Sequence, residues 1–335
     1  MTAAPQGTDP LAASLTPLAA RRPPNRVDVS VLVPAKDEAE NLPLFMELAA
    51  EAFAKSPYAY EVVVIDDGSV DATWAVLQTL SDQYAFLRTA RHRAKRGIAD
   101  ALRTGFLTAR GDVLVFYPAD LQFKPEDIPR LVEPILTGNA DMVTGFKEGK
   151  YEKRFVSSIY NALSRALFHV PVKDLNSVKA YRREVMEALP TRPDWHRYMV
   201  VLAAAQGFAV SEVPVPLYPR NAGHSKFATW HRIPIGVLDM LAVWFELRFG
   251  QKPLLLFGML GIGIVAVSVV AGIVLLLTNA GVRAVWQLIE TCLILGSILF
   301  ATGLLGEQIA GQRAQLREMR RQLDELSAAR IKDRE

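Results

Sequence analysis

The stretch VLVFYPADLQFKP, Val113–Pro125, decides how the whole chain is read. Its first five residues, Val113, Leu114, Val115, Phe116 and Tyr117, are apolar and mostly β-prone, which predicts a buried strand. A Pro-Ala turn stops the run and presents Asp120, then Gln122, before Lys124-Pro125 opens a helix. Open α/β sheets bind ligands just beyond the carboxyl ends of their strands, so an acid at this junction is placed to act. A carboxylate there can hold a divalent cation, and the cation can hold a diphosphate. A strand followed by an ordinary polar turn is the plainer alternative. A second strand-to-acid junction upstream, EVVVIDDGSVD at Glu61–Asp71, tips the balance toward function.

Working outward, the same alternation repeats. Val27–Pro34 reads as a strand closed by proline, and Asn41 or Asp37 could cap the helix that follows. Leu42, Leu44, Phe45, Leu48 and Ala49 would form that helix's buried face. Val62–Ile65 runs into Asp66-Asp67-Gly68-Ser69, where glycine allows a tight turn and Asp71 can cap a helix through Leu80. A short strand around Phe86–Ala90 feeds the basic loop Arg91–Gly97 and a helix at Ile98–Thr108. A basic loop entering a helix N-terminus suits an anion, although such clusters are also ordinary solvated surface. Beyond Asp120 come a strand at Asp141–Gly145, a basic region (Lys147, Lys150, Lys153, Arg154) and a helix at Ser157–Phe168. The segment Pro171–Arg183, a helix around Asp194–Gln206 and a strand at Val210–Pro216 lead into Pro219–Phe227. Strands alternating with helices predict an α/β fold, a mostly parallel sheet with helices on both faces.

Composition narrows the function classes. The formal charge of +3 is too small to argue for nucleic acid. The single cysteine, Cys292, excludes an internal disulfide and a multi-cysteine zinc site, and fits a reducing compartment. Residues 1–26 are rich in Ala, Pro and Thr, lack the basic start and apolar core of a signal peptide, and read as a disordered tail.

The ordered motifs P-x-x-x-E (Pro34, Glu38), D-D-G-S (Asp66–Ser69), R-G (Arg96, Gly97), A-L-R-T-G-F (Ala101–Phe106) and A-D-L-Q (Ala119–Gln122) resemble a family 2 glycosyltransferase of the GT-A fold. So do D-L-N (Asp174–Asn176), R-R-E-V (Arg182–Val185) and R-x-x-G-x-S-K-F (Arg220–Phe227). The pattern is most similar to the polyprenyl-phosphate branch, that of dolichol-phosphate mannose synthases and bacterial undecaprenyl-phosphate transferases. The likeness spans roughly residues 27–310, and it is carried by the order and spacing of the motifs rather than by any one of them.

This resemblance implies a nucleotide-sugar donor, a polyprenyl phosphate acceptor and inversion at the anomeric carbon. Pro34, Lys36, Glu38 and Ala119 would line the donor pocket, with Asp66 or Asp67 reading the base and Arg96 approaching the donor. Asp120 and Gln122 would hold Mg²⁺ or Mn²⁺, and Asp174 would stand by the reacting sugar as base or positioning residue. Arg220, Ser225 and Lys226 would meet phosphate. One position departs from the pattern: the family's metal motif is usually D-x-D, and Pro118 stands where its first aspartate would fall. That substitution puts the metal in question, and it keeps a catalytically dead nucleotide-sugar-binding scaffold as an alternative. A transferase with a non-lipid acceptor is another.

A membrane anchor is legible without any family. Leu254–Leu277 carries no charge and is long enough to span a bilayer; Ala284–Leu305 forms a second span that holds Glu290. Arg232, Arg248 and Lys252 precede the pair, and Arg313, Arg317, Arg320 and Arg321 follow it, whereas the intervening loop has only Arg283. The positive-inside rule then places both ends, and the catalytic domain, on the cytoplasmic side of the inner (plasma) membrane. His231–Phe249 reads as an interfacial helix, with a terminal helix of the soluble domain as the competing view. In the tail, Ile309, Leu316 and Leu323 fall seven apart, with Met319 and Leu326 on the complementary seam, so pairing there would make a homo-oligomer. The expected domains are 27–230 catalytic, 231–252 juxtamembrane helix, 253–306 two-helix anchor and 307–335 charged helical tail.

Overall fold

The computed structural model describes residues 26–148, 164, 167–168, 170, 172, 174–175, 177–189, 195–221, 232–278 and 283–332. The chain falls into two compact units divided after Asp239.

In the first unit, described residues form strands β1 (Val29–Ala35), β2 (Tyr60–Asp66), β3 (Leu87–Arg91), β4 (Val113–Phe116), β5 (Met142–Glu148), β6 (Lys179–Arg182) and β7 (Val210–Pro216). Their order across the sheet is β3-β2-β1-β4-β6-β5-β7. Only β6 runs against its neighbours, pairing antiparallel with both β4 and β5. The helices are α1 (Leu42–Ala54), α2 (Thr73–Gln83), α3 (Ile98–Thr108), α4 (Ile128–Leu136), α5 (Arg183–Ala188) and α6 (Met199–Ala205), with α7 (Arg232–Phe249) crossing the boundary between units.

Helices cover both faces, which is why the central strands are continuous apolar runs rather than alternating ones. Val29, Val31 and Val33 of β1 share a core with Phe45 and Met46 of α1, Leu77 of α2 and Leu131 of α4. The opposite face takes α3 so closely that a Cβ on Gly105 would come within 2.9 Å of Ile65 and 3.3 Å of Leu32. At the amino-terminal end of the sheet, buried Glu61 accepts from the Ser30 hydroxyl and the Arg110 backbone N–H, each at 2.6 Å. That knot ties β1, β2 and the approach to β4 together.

Several local expectations are corrected. Leu44 is 38% exposed, and Met46 takes its place on the buried face of α1. Asn41 holds the N-cap position of α1 but makes no side-chain capping bond, its Nδ2 donating to Glu38, and Asp37 lies outside the cap, its Oδ1 accepting from the Val70 N–H. The reversed strand β6 sits inside a segment that carried no assignment. Ala72, not Asp71, holds the N-cap position of α2, although Asp71 Oδ1 accepts the Thr73 N–H at 3.0 Å just before it. The expected helix at 157–168 lies mostly outside the described residues.

The second unit is dominated by α8 (Pro253–Thr278) and α9 (Arg283–Lys332). Pro253–Thr278 and Arg283–Leu316 are long and apolar enough to cross a membrane, with mean hydropathy 2.8 and 2.0. Only 17% of each apolar stretch is buried, the reverse of a soluble core helix. Glycines bring the two helices together: a Cβ on Gly261 would lie 2.5 Å from the Gly296 carbonyl oxygen, and one on Gly303 would lie 2.9 Å from the Gly258 nitrogen. No break separates the expected second span from the charged tail; α9 runs through both for 50 residues. Ile309, Leu316 and Leu323 are exposed along it.

Candidate active site

Strand register determines what meets at the carboxyl rim of the sheet. Ala35 pairs with Asp66, Asp66 with Arg91, Leu32 with Phe116, and Phe116 with Lys179. Loops leaving β1, β2, β3 and β4 therefore emerge on one side, joined by the segment that enters the reversed β6.

The first two loops are sewn to each other. Lys36 Nζ donates to the Gly68 carbonyl oxygen at 2.8 Å, and the Asp37 and Glu38 N–H groups donate to Ser69 and Thr73 hydroxyls, each at 2.9 Å. Asp37 adopts a positive φ of 50° to do so. Gly68, at φ 68°, is required here, since a Cβ would sit 2.6 Å from the Ala94 carbonyl carbon. Pro34 lies one residue before the end of β1.

Asp67 organises the basic loop. Its Oδ1 accepts from the Arg96 N–H and meets His92 Nδ1, and its Oδ2 accepts from the Gly97 N–H, all at 2.8 Å. His92 Nε2 continues to the Thr104 hydroxyl at 2.9 Å. Burial raises the Asp67 carboxyl, but these contacts outweigh it and hold the group below its ordinary value. Both Asp67 oxygens are thus engaged by the loop, while the Arg96 side chain is exposed. Asp66 is fully buried, accepts from the Ser69 N–H at 2.8 Å and forms an ion pair with Arg91 at 3.1 Å.

Three loops converge on Arg220. Its guanidinium lies 2.7 Å from Asp120 Oδ2 and 3.9 Å from Glu38 Oε1. Asp120 Oδ1 also accepts the Gln122 N–H at 3.2 Å, across Leu121 at a positive φ of 58°. The Gln122 carbonyl accepts from the Tyr218 N–H at 2.9 Å, so the segment after β7 is bonded directly to the loop after β4. Asn221 Nδ2 donates to Asn41 Oδ1 at 3.1 Å from the same segment. Burial pushes the Asp120 carboxyl up, and Arg220 pulls it part of the way back. Ala119 is buried beside it.

The donor set around Asp120 is small. Pro118 contributes no ligand, and no three or more His, Cys, Asp or Glu side chains gather to hold a metal among the described residues. One buried carboxylate with a cationic partner, plus the Gln122 amide, still suits an ion that takes most of its oxygens from water and phosphate. The residues fit such a weak site.

Asp174 is buried 3.2 Å from Lys147 Nζ, with its own N–H 3.4 Å from Glu212 Oε1. Lys179, fully buried at the start of β6, and His196 belong to the same neighbourhood. Sequence reasoning passed over both; the one available sign for Lys179 was a lone cation between Val178 and Ala180. Ser225 and Lys226 lie outside the described residues.

Residues 30–185 match the model of glycosyl transferase family 2. The chain carries a family 2 glycosyltransferase domain. That matched domain contains Glu38, Asp66, Asp67, Asp120 and Asp174, whereas Arg220 comes from beyond it. Over 303 residues the chain is 27% identical to dodecaprenyl-phosphate galacturonate synthase of Rhizobium johnstonii, covering 86% of this chain and 89% of that protein. It is 33% identical over 215 residues to dolichol-phosphate mannosyltransferase of Pyrococcus furiosus, covering 59% and 58% of the two. Glucosyl-3-phosphoglycerate synthase of Mycobacterium tuberculosis, solved with Mn²⁺, UDP-glucose and phosphoglyceric acid, superposes with a TM-score of 0.53 at 20% identity, over 73% of this chain and 85% of that one. This last likeness places the family 2 domain in the GT-A fold.

Proposed function

We propose that the chain is a membrane-anchored glycosyltransferase that moves a sugar from a nucleotide-sugar donor onto a polyprenyl phosphate, with inversion. The observation that carries this reading is the meeting of Glu38, Asp120 and Arg220, from three separate loops, at the rim of a family 2 domain. The apolar helices α8 and α9 on the same chain support a lipid-borne acceptor, as do the names of the relatives.

In this reaction an acceptor phosphate oxygen bonds to the anomeric carbon while the bond from that carbon to the donor diphosphate breaks. The nucleoside diphosphate leaves with the electron pair. The acceptor is already anionic near neutral pH, so it needs orientation more than deprotonation. Pro34, Lys36, Glu38 and Ala119 would wall the donor pocket, Asp66 or Asp67 would read the base, and Arg96 would approach the diphosphate. Asp120 and Gln122 would hold Mg²⁺ or Mn²⁺, which when bound would screen the charge developing on the leaving group. Arg220, Ser225 and Lys226 would bind phosphate, and Asp174 would orient the reacting sugar. Residues 27–230 would be catalytic and 253–306 the anchor, with the active site at the cytoplasmic face of the plasma membrane.

The test is transfer by the full chain in nanodiscs from a panel of UDP, GDP and dTDP sugars to undecaprenyl phosphate, with and without divalent cation. Formation of a glycosyl-lipid with one donor is expected. Retained nucleotide binding without turnover on any donor would favour a nucleotide-sugar-binding scaffold, a reading supported by Pro118 and by the Asp120–Arg220 pair.

A further inference from the structure

The two aspartates expected to meet the nucleobase are both closed to it. Asp66 is fully buried. Asp67, 6% exposed, engages both carboxylate oxygens with His92 and the Arg96 and Gly97 N–H groups. What stands outside Asp66 is a cation. Arg91, its register partner at the end of β3, brings Nε to 3.1 Å from Asp66 Oδ2 and its guanidinium carbon to 5.2 Å from the centre of the Trp74 ring. The Arg91 side chain is nevertheless 45% exposed, and its Nη groups donate to no protein atom among the described residues.

Position ties this guanidinium to the donor site. Backbone bonds continue past the strand ends: the Asp67 N–H donates to the Ala35 carbonyl oxygen and the His92 N–H to the Asp66 carbonyl oxygen, each at 2.8 Å. Arg91 is thereby fixed relative to residues 34–36, the wall of the donor pocket. β3 is an edge strand, so no further strand covers Arg91. From β4, which leads to Asp120, across to β3 is three strand spacings, roughly 14 Å. A nucleoside diphosphate with its diphosphate at Asp120 can lay its base at Arg91 across that distance. The loop carries other exposed cations, Arg93, Lys95 and Arg96. Among the described residues, only Arg91 of these four has its side chain held by protein contacts, so only there are the donors set in advance.

A guanidinium offers N–H donors in a rigid fork and no acceptor. A base edge bearing a carbonyl oxygen accepts from it, whereas an amino group in the same place sets donor against donor. We propose that Arg91 determines specificity for the nucleobase, selecting donors whose base has a carbonyl oxygen where cytosine and adenine carry an amino group, as uracil, thymine and guanine do. The inference rests on the nucleotide-sugar reading above, and it moves base recognition from Asp66 or Asp67 to Arg91.

The experiment is titration calorimetry of the full chain in nanodiscs with UDP, dTDP, CDP, GDP, ADP and inorganic pyrophosphate, for wild type, Arg91→Met and Arg91→Gln. The wild type is expected to favour UDP or dTDP over CDP, or GDP over ADP, by about tenfold or more. Arg91→Met should weaken the favoured nucleotide roughly tenfold, erase the preference and leave pyrophosphate binding unchanged. Arg91→Gln, whose amide oxygen can accept from an amino group, should narrow the preference by strengthening the amino-bearing nucleotide, a gain that a misfolded chain cannot give. Removing Arg91 strips the buried Asp66 of its cation and could unfold the variants, so the wild-type comparison also stands alone: nucleotide binding with no preference for the carbonyl bases would overturn the inference. An unchanged preference in either variant, or an equal loss of pyrophosphate binding in Arg91→Met, would overturn it too, with the transferase intact. A wild type that binds no nucleotide would remove the donor reading itself, and with it the role of Arg91.

Discussion

Arg220 and Asp120 are joined by a 2.7 Å ion pair that ties the end of β7 to the loop after β4. The guanidinium offsets part of the upward push that burial gives the Asp120 carboxyl.

Arg220→Ala should lower stability by about 1–3 kcal/mol, the cost of leaving a buried carboxylate without its charge partner, reduced by Arg220's partial exposure. The pH dependence has a fixed sign. A carboxyl raised in the folded state binds a proton more readily there than in the unfolded chain, so its penalty is present at neutral pH and fades as pH falls through the raised value. Denaturant melts of wild type and variant should thus converge in acid. Adding Asp120→Asn to Arg220→Ala should restore part of the loss, and a double-mutant cycle measures the coupling.

Asp120→Asn alone should leave the protein folded and membrane-bound but reduce sugar transfer by about a hundredfold, as expected when charge opposite a leaving group is removed. Turnover assays at several Mg²⁺ concentrations check this. Unchanged turnover would remove Asp120 from the site.

Thr104→Val tests the chain Asp67–His92–Thr104. It strands the buried His92 Nε2 and should cost about 1–2 kcal/mol, with a several-fold loss of nucleotide affinity as the 91–97 loop loosens. Asp67→Asn should cost at least as much, because it replaces one of two oxygens that together receive two backbone N–H groups and His92. The Asp67 carboxyl is held below its usual value, so its contribution is present above the unfolded pKa and lost as pH falls through the folded one. Calorimetry at neutral and acid pH should show the Asp67→Asn deficit shrinking in acid.

The sheet was legible because buried parallel strands announce themselves as unbroken apolar runs. Val113–Phe116 and Val62–Ile65 sit where that signal falls. β6 was not legible, for it is only four residues long and begins with a lysine, the residue a strand reading discards. The acids at strand ends could be placed by position alone, but their partners could not. Glu38 and Arg220 are separated by most of the first unit in sequence, and nothing short of the fold says that the segment after β7 reaches back to the loops after β1 and β4. Leu44 fits an apolar row with Leu48 four residues on, but the helix turns the Leu42, Phe45, Met46 and Ala49 face to the core and leaves Leu44 outside it.

Gly261→Leu should disrupt the α8–α9 pair, since even a Cβ would meet the Gly296 carbonyl oxygen at 2.5 Å and the Phe300 nitrogen at 2.7 Å. Overpacking of this kind costs about 1–3 kcal/mol. Gly263→Leu is the control, because nothing lies within 4 Å of a Cβ there. Cysteine cross-linking between the two helices in nanodiscs should fall in the first variant and not in the second.

The 50 residues of α9 carry no kink-forming proline and extend roughly 75 Å at the usual rise of an α-helix. Such a rod has no hinge where its greasy half gives way to its charged half. A load applied near Lys332, from a docked macromolecule or a neighbouring copy, would reach Arg283 as tilt or twist of the whole shaft, and Gly296 and Gly303 would carry that motion into α8.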